Sequence, residues 1–254
     1  MKKIICGLLL TVLLASYANA QKSPITFGEI PLDDLKMTTY LSDTSASAVI
    51  LADYGEAYLT INSNYATMHF ERHVRIKILK KEGLSWADAE ILLYNGGSSE
   101  ERVTKSKATT YTLENGRVVK TEMDKEGVFK EKFNKRFNVQ KFTMPNVKEG
   151  SVIEYSYTIL SPYVYNFPNW QFQYNIPVRW SEYWAKLPDF FTFEKYMQGY
   201  ISPTKYEVKK ESASGYTISG HHWIIQDVPA FKEEPFITTE EDYLSKMNFA
   251  LAYI

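Results

Sequence analysis

The sequence holds a single cysteine, Cys6, which lies close to the N-terminus. Residues 21–254 therefore offer no disulfide, no thiolate metal site and no cysteine nucleophile. The motifs G-x-S-x-G and G-x-x-x-x-G-K-[ST] are also missing. These motifs mark the nucleophile turn of many serine hydrolases and the phosphate-binding loop of many nucleotide-binding proteins. The composition thus excludes thiol chemistry in residues 21–254. The sequence also contains neither of the motifs that would indicate a serine hydrolase or a nucleotide-binding protein.

The chain also lacks a large excess of positive or negative residues. The chain has 29 basic and 30 acidic residues, and without Lys2 and Lys3 it has 27 basic against 30 acidic residues, a net charge of −3. Since a nucleic-acid-binding surface needs a basic field, we expect no nucleic-acid partner. No apolar run beyond residue 20 approaches the ~20 residues that span a bilayer, so we expect no transmembrane segment after the leader.

The first twenty residues have the pattern of a signal peptide. Lys2 and Lys3 precede the apolar run "IICGLLLTVLLA", and "ANA" places small residues before Gln21. The apolar run is shorter than a membrane-spanning helix. We therefore predict cleavage after Ala20 and export of the remaining chain to the periplasm or the extracellular space.

Strand-like alternation dominates the rest of the chain, where helical periodicity is scarce. "ATMHFERHVRIKILKKEG" places Met68, Phe70, Val74, Ile76 and Ile78 on one parity and polar side chains on the other. "GSVIEYSYTI" alternates in the same way. "ATTYTLENGRVVKTEM" predicts a β-hairpin with strands 109–113 and 118–123, because Asn115-Gly116 suits a tight turn with positive φ at both residues.

This pattern predicts an all-β fold. We expect a large two-sheet antiparallel β-sandwich of about 12 to 15 strands, which could extend into a saddle, with at most one or two short helices. The candidates for helices are "DLKMTTY" and "SWADAEILL", although alternation explains the second equally well. We assign residues 1–20 to the signal peptide, 21–43 to a lead-in segment and 44–254 to one β domain.

The final stretch "YLSKMNFALAYI" also alternates, and it predicts a strand rather than a frayed polar end. We expect its apolar side chains to be covered by residues that lie beyond this chain. The alternating positions are Met247, Phe249, Leu251 and Tyr253.

Three groups of side chains could carry chemistry, and each also has a simple structural explanation. His69, Glu71 and His73 would share one strand face, which is open to a metal but equally typical of a solvated face. The adjacent His221 and His222 would point to opposite faces. An acidic run could bind calcium or form a solvated loop; it contains Glu233, Glu234, Glu240, Glu241 and Asp242. We predict no catalytic residue, no metal ligand and no cofactor.

Aromatic residues are densest in "SPYVYNFPNWQFQYNIPVRWSEYW". Packing between two sheets explains most of them, since Tyr and Trp keep a polar group that can find a partner in a core. Tyr163, Tyr165 and Trp170 lie beside prolines in a predicted connection. These three are our candidates for a surface that binds a protein partner or a glycan.

Several long blocks of the chain resemble a known bacterial domain. They are "MPNVKEGSVIEYSYTILSPY", "NWQFQYNIPVRWSEYWAKLPDFFTF", "VPAFKEEPFITTEEDYLSKMNFAL", "HVRIKILKKEG" and "TLENGRVVKTEM". The chain, from about Thr44 onward, is similar to the domain of unknown function that precedes a transglutaminase-like domain in exported proteins. The resemblance implies a catalytic Cys–His–Asp set in that following domain, and none of those three residues can be carried onto this sequence.

We therefore expect an exported, non-catalytic β module. It would be a scaffold or a substrate-presenting domain for a transglutaminase-like domain in the same protein. One alternative is a carbohydrate- or cell-wall-binding sandwich that uses Tyr163, Tyr165 and Trp170. A second alternative is a metal-assisted hydrolase built on His69, Glu71 and His73 or on His221 and His222.

Overall fold

A computed structural model describes residues 23–62, 65–124, 127–213, 215–232 and 239–253. The predicted signal peptide and the acidic residues Glu233 and Glu234 lie outside this part of the chain. Within it the strands are β1 (Ala48–Ile61), β2 (Ala66–Ile78), β3 (Asp88–Tyr94), β4 (Arg102–Glu114), β5 (Arg117–Glu122), β6 (Val128–Lys132), β7 (Phe137–Thr143), β8 (Val152–Ser161), β9 (Trp170–Gln171), β10 (Val178–Pro188), β11 (Thr192–Gln198), β12 (Lys205–Ala213), β13 (Tyr216–Val228) and β14 (Lys246–Tyr253).

The helical elements are short, and the prediction of an all-β fold is confirmed. Helix α1 (Leu32–Lys36) begins two residues before the candidate stretch "DLKMTTY" and shares only its first three residues. The second candidate stretch divides into a 3-10 helix, Lys81–Ala87, and strand β3, whose burial alternates residue by residue. A further 3-10 turn covers Glu240–Asp242. No helix in the described residues is long and apolar enough to cross a membrane.

The strands form one eight-stranded sheet and two three-stranded sheets. The large sheet has the order β12-β13-β10-β1-β2-β8-β4-β5, and the small sheets have the orders β11-β14-β9 and β3-β7-β6. All pairs are antiparallel except β1 and β10, which run parallel with Asp53 opposite Ser181. The second layer therefore consists of two sheets rather than the single sheet expected. Alternation along a strand predicts its two faces but carries no information about which distant strand pairs with it.

Both small sheets cover the same face of the large sheet. One buried cluster joins residues of β2 and β8 with residues of β3, β7, β9, β11 and β14, among them Phe70, Ile153, Ile91, Phe142 and Phe193. The alternation predicted for β2 is confirmed, because Met68, Phe70, Val74, Ile76 and Ile78 are all buried on this face. We call it the covered face and the opposite one the polar face.

Residues 23–43, the described part of the lead-in segment, pack on one end of the polar face. Leu35 and Tyr40 join Val49, Leu51 and Val152 in a second apolar cluster. Polar contacts also hold this segment: Arg179 Nη1 lies 2.7 Å from Asp34 Oδ1, and Lys77 Nζ donates to the Leu35 carbonyl oxygen at 2.7 Å. Elsewhere the polar face carries polar side chains of the large sheet's own strands.

The predicted hairpin is confirmed. Strands β4 and β5 pair across a turn in which Asn115 has φ 50° and Gly116 has φ 77°. Two consecutive positive φ angles are the conformation that Asn-Gly adopts at low cost.

The predicted final strand is confirmed as β14, but its side chains are covered within this chain. Met247 is 5% exposed, and Phe249 and Leu251 pack against the main core. The expectation that these three need residues beyond the chain is therefore wrong. The reason is that β14 pairs with β11 along its length and lies over the large sheet. Tyr253 is 68% exposed.

Candidate functional site

Strand pairing aligns the polar face into two rows that cross seven strands, which we call the polar rows. Opposite residues in paired strands point to the same face, so the register alone places these side chains together. The first row is Lys105, Thr158, Glu71, Glu56, Trp184, His222 and Glu207. The second row is Lys107, Ser156, His73, Tyr54, Glu182, Ile224 and Lys205.

A cavity of about 280 Å³ opens on the polar rows between β2 and β4. It forms because β8 contributes only the short side chains of Ser156 and Thr158 there, while its neighbours carry long ones. The remaining walls come from Phe27 of the lead-in segment and from Tyr54, Glu71, His73, Lys105 and Lys107. This is the candidate functional site.

Glu154 forms a buried network beside this cavity. Its Oε1 accepts from His73 Nε2 at 3.0 Å and from Arg75 Nη2 at 2.6 Å. Its Oε2 accepts from the Gly28 backbone N–H at 2.8 Å and from the Tyr111 hydroxyl at 3.1 Å. Burial alone would raise the pKa of Glu154, but the hydrogen bonds from His73, Gly28 and Arg75 outweigh it and lower that pKa. The network fastens the lead-in segment to the sheet.

His73, a predicted candidate for metal binding, is thus occupied by Glu154. Its ring also stacks on Phe27, with 5.5 Å between ring centroids. His69 stacks on Tyr58 at 4.7 Å and has Nε2 2.9 Å from Thr60 Oγ1. Burial lowers the pKa of His69. These contacts give both imidazoles a structural role.

A second network surrounds His222. Its Nε2 lies 2.9 Å from Glu182 Oε1, and its Nδ1 lies 3.0 Å from Glu207 Oε1. Both carboxylates receive a hydrogen bond only when both ring nitrogens carry hydrogens. The ring stacks on Trp184 at 3.8 Å between centroids. The network ties β10, β13 and the edge strand β12 together.

Hydrogen bonds set the pKa values of these two glutamates. Those from His222 and Lys205 lower the pKa of Glu207 to about 2. For Glu182, burial alone would raise the pKa, but hydrogen bonds from His222 and two tryptophans lower it. Both carboxylates therefore remain charged well below neutral pH.

His221 points to the covered face, opposite to His222. Its Nδ1 lies 2.9 Å from the Tyr206 hydroxyl, and burial together with Lys195 lowers its pKa to about 4. In the described residues no three His, Cys, Asp or Glu side chains are arranged to hold a metal ion. The structure thus does not bring the predicted metal candidates together.

Trp170 does not lie on the surface, and that part of the prediction is wrong. The side chain is 2% exposed, and its ring packs closely against Gly55 and stacks on Tyr183 with 4.9 Å between ring centroids. Its Nε1 donates to Ser181 Oγ at 3.0 Å. The ring is buried because Gly55 has no Cβ, which leaves space for an indole against the sheet.

Tyr163 and Tyr165 lie on the connection between β8 and β9. Their rings are in edge contact at 5.8 Å between centroids. Tyr165 is 56% exposed, whereas the Tyr163 hydroxyl donates to the Ser99 carbonyl and accepts from the Gly96 N–H. A binding role for this pair remains a prediction.

A family model matches residues 65–232 and describes a domain of unknown function with a solved structure, DUF3857. The chain belongs to the DUF3857 family. At this level the resemblance drawn from the sequence blocks is confirmed. No curated protein matches the chain.

Among solved structures, a candidate protease from Parabacteroides distasonis ATCC 8503 shares the DUF3857 chain's fold. The TM-score is 0.58 at 13% identity, over 80% of this chain and 40% of the other. An M1 zinc metallopeptidase from Deinococcus radiodurans matches at a TM-score of 0.32 and 10% identity, over 76% of this chain and 45% of the other. The chain thus spans less than half the length of either protein, and at these identities only the fold of the first is informative.

Sequence reasoning missed the most connected polar residues of this DUF3857 chain. Glu154 and Glu182 alternate with apolar residues along β8 and β10. Alternation therefore assigns them to the polar face but does not predict that they are buried there. Lys105 and Lys107 alternate on β4 in the same way. Strand pairing, which the sequence does not reveal, turns these separate positions into one site.

Proposed function

We propose that this chain is a non-catalytic β module of an exported protein and serves a transglutaminase-like catalytic domain as a scaffold or a substrate-presenting domain. Membership of DUF3857 and the sequence blocks that resemble transglutaminase-associated proteins support the pairing. The cleavable leader predicted from residues 1–20 supports export. The catalytic thiolate, imidazole and carboxylate would all belong to the partner domain.

The observation that carries the non-catalytic assignment is the engagement of the imidazoles on the polar face. A general base needs a ring nitrogen within hydrogen-bond reach of the proton it removes. Both nitrogens of His222 face carboxylates, so neither is free to take a proton from a substrate. His73 Nε2 is engaged by Glu154, and its ring stacks on Phe27. These side chains join strands and fasten the lead-in segment, which is what a scaffold requires.

The Parabacteroides protein offers a compatible arrangement. It is named as a candidate protease, and the shared fold accounts for 40% of its length. A β module of this kind can therefore occur within a longer chain that has room for a separate catalytic domain. In the protein proposed here, the module would hold that domain and its substrate in a fixed relation.

The first test measures turnover by the purified mature chain. Labelled casein, a γ-glutamyl amide and an aryl glycoside are offered to the wild type and to a Glu71→Gln, His69→Gln double variant. The variant removes a carboxylate of the cavity wall and the imidazole two residues before it on β2. We expect both proteins to match the buffer blank. Wild-type turnover that the double variant loses would overturn the non-catalytic assignment.

The second test concerns the partner domain. We expect the reading frame that follows Ile254 to encode a Cys…His…Asp set, and the joined protein to hydrolyse or transfer a γ-glutamyl amide. Replacing the encoded cysteine with alanine should abolish that activity. A frame without such a set would contradict the pairing with a transglutaminase-like domain.

Glycan binding is a second candidate, favoured by the exposure of Tyr165 beside Tyr163. The test is sedimentation with insoluble cell-wall polymer. A Tyr165→Ala variant should lose retention, whereas Tyr196→Ala, which is equally exposed on β11, should keep it. Equal retention of all three proteins would reject this assignment.

A further inference from the structure

The cavity on the polar rows contains two cations without a carboxylate partner. Lys105 and Lys107 are exposed, alternate on β4, and form no ion pair within the described residues. Two residues along a strand place their Cα atoms about 7 Å apart. The Lys107 ammonium lies 5.8 Å from the centre of the Phe27 ring, which brings it to the end of the cavity formed by the lead-in segment.

The opposite wall presents an acceptor. Glu71 Oε1 accepts from the Tyr58 hydroxyl at 3.2 Å, whereas Oε2 has no partner in the described part of the chain. The half-buried side chain of Glu71 lies across Thr158 from Lys105. The cavity therefore has positive charge on one wall and a negative acceptor on the other, with two hydroxyl side chains on its floor.

We propose that this cavity binds a small, carboxylate-bearing peptide or amino-acid derivative. Its carboxylates would contact Lys105 and Lys107, and its amino group would donate to Glu71 Oε2. Ser156 and Thr158 would supply hydrogen bonds from below, and the Phe27 and Tyr54 rings would pack against its carbon atoms. A volume of about 280 Å³ suits a ligand of dipeptide size.

This inference rests on the proposed function, because a substrate-presenting module must bind part of a substrate. Binding is measured on this chain alone. Failure to bind would therefore leave the non-catalytic assignment standing, and detected turnover would leave the binding site standing.

The experiment is titration calorimetry with four probes at low salt: Ala-Glu, Ala-Gln, N-acetyl-Ala-Glu and glucuronate. Ala-Glu carries two carboxylates and a free amine. Ala-Gln removes one carboxylate, N-acetyl-Ala-Glu removes the free amine, and glucuronate removes both one carboxylate and the amine. We expect Ala-Glu to bind at least tenfold more tightly than glucuronate and several-fold more tightly than the other two dipeptides, because each opposite charge close to the cavity adds attraction.

Four variants locate the site. Lys105→Gln with Lys107→Gln should weaken Ala-Glu binding at least tenfold. Ser156→Leu, which fills the floor and keeps every charge, should do the same. Glu71→Gln should abolish the preference for Ala-Glu over N-acetyl-Ala-Glu. Lys132→Gln is the matched control on β6, in the other layer of the fold, and should bind as the wild type does.

Thermal unfolding is measured for each variant as a folding control. A midpoint close to that of the wild type shows that a variant's loss of binding is not caused by unfolding. The proposal is overturned by the absence of Ala-Glu binding, by binding that survives Ser156→Leu and the double lysine variant, or by a loss of equal size in Lys132→Gln. Tighter binding of glucuronate than of Ala-Glu would also overturn it, since an amine would then contribute nothing.

Discussion

With its two carboxylate oxygens, Glu154 bonds to four groups, which belong to β2, β4 and the lead-in segment. It is buried, and so is the Arg75 guanidinium that it neutralises. Removing one partner of such a pair leaves the other charge uncompensated in a poorly solvated site. Removing one member of the network therefore lowers the free energy of unfolding. This holds whether or not an apolar core at the same place would be more stable.

We predict that Glu154→Gln lowers the free energy of unfolding by about 3–5 kcal/mol at pH 7, as expected for a broken buried ion pair. Urea denaturation measures the change. Glu122→Gln, at an exposed pair with Lys120, is the control and should change stability by about 0.5 kcal/mol or less.

The same variant has a defined pH dependence. The folded pKa of Glu154 is lowered by its hydrogen bonds despite burial. Its ionised form thus stabilises the fold above the unfolded pKa, and this contribution disappears as pH falls through the folded value. Wild type and Glu154→Gln should converge in stability on acidification, and a constant difference down to pH 2 would contradict this account.

Lys77 also makes the fold more stable as the pH rises, but it does so in the alkaline range. Burial lowers its pKa to about 8, although its ammonium donates to two backbone carbonyls. Between about pH 8 and pH 10.4 the unfolded chain binds a proton that the folded chain has released, so stability rises with pH.

We therefore expect the wild type to gain stability relative to Lys77→Met when the pH is raised from 7 to 10, by at most about 3 kcal/mol. Denaturant titrations at the two pH values measure it, and the tyrosines cancel because both proteins contain them. A difference that stays the same at both pH values would show that the ammonium is not desolvated.

Strand β9 is only two residues long, yet it places the Trp170 indole on β1. A Cβ at Gly55 would overlap this ring, and Gly55 does not have a positive φ, so the conflict is purely steric. Overpacking of this kind costs about 1–3 kcal/mol. Glycine at this point of β1 is therefore explained by the close approach of β9.

We predict that Gly55→Ala lowers the free energy of unfolding by about 1–3 kcal/mol and Trp170→Ala by about 3–5 kcal/mol. The double variant should be more stable than the sum of the two losses implies, because the added methyl group then enters the vacated space. Additive losses would show that the ring can move away from Gly55.

Single elements were largely predictable from local pattern. β2 and the β4–β5 hairpin followed from alternation and from Asn115-Gly116, whose conformational preferences are local. Trp170 was not predictable in this way, since its burial depends on a glycine more than 100 residues earlier. The cavity was not predictable from the sequence either, because Ser156 and Lys107 come together only through the pairing of β4 with β8.

At the scale of the whole molecule, the eight-stranded sheet is shared by two apolar clusters on its two faces. Residues of β1 contribute to both, with Ile50 in one cluster and Leu51 in the other. Neither layer can therefore lose its packing without exposing part of the same sheet. The molecule should unfold as one cooperative unit that includes the lead-in segment.

We predict that Leu35→Ala and Ile91→Ala, one on each side of the sheet, each cost about 2–5 kcal/mol and shift one common transition. Circular dichroism and tryptophan fluorescence should give coincident curves for wild type and both variants. An early separate transition in Leu35→Ala alone would show that the lead-in segment unfolds independently.

The sequence by itself determined the all-β class, the two faces of strands such as β2, and the hairpin turn, because these depend on period-two alternation and local backbone preference. The tertiary structure alone decided that β1 pairs in parallel with β10, that Trp170 is buried on Gly55, and that β14 is covered within the chain. It also decided that the lysines of β4 lie across from Glu71. Those outcomes depend on contacts between residues distant in sequence, whose free energies are set by packing and register rather than by any local pattern.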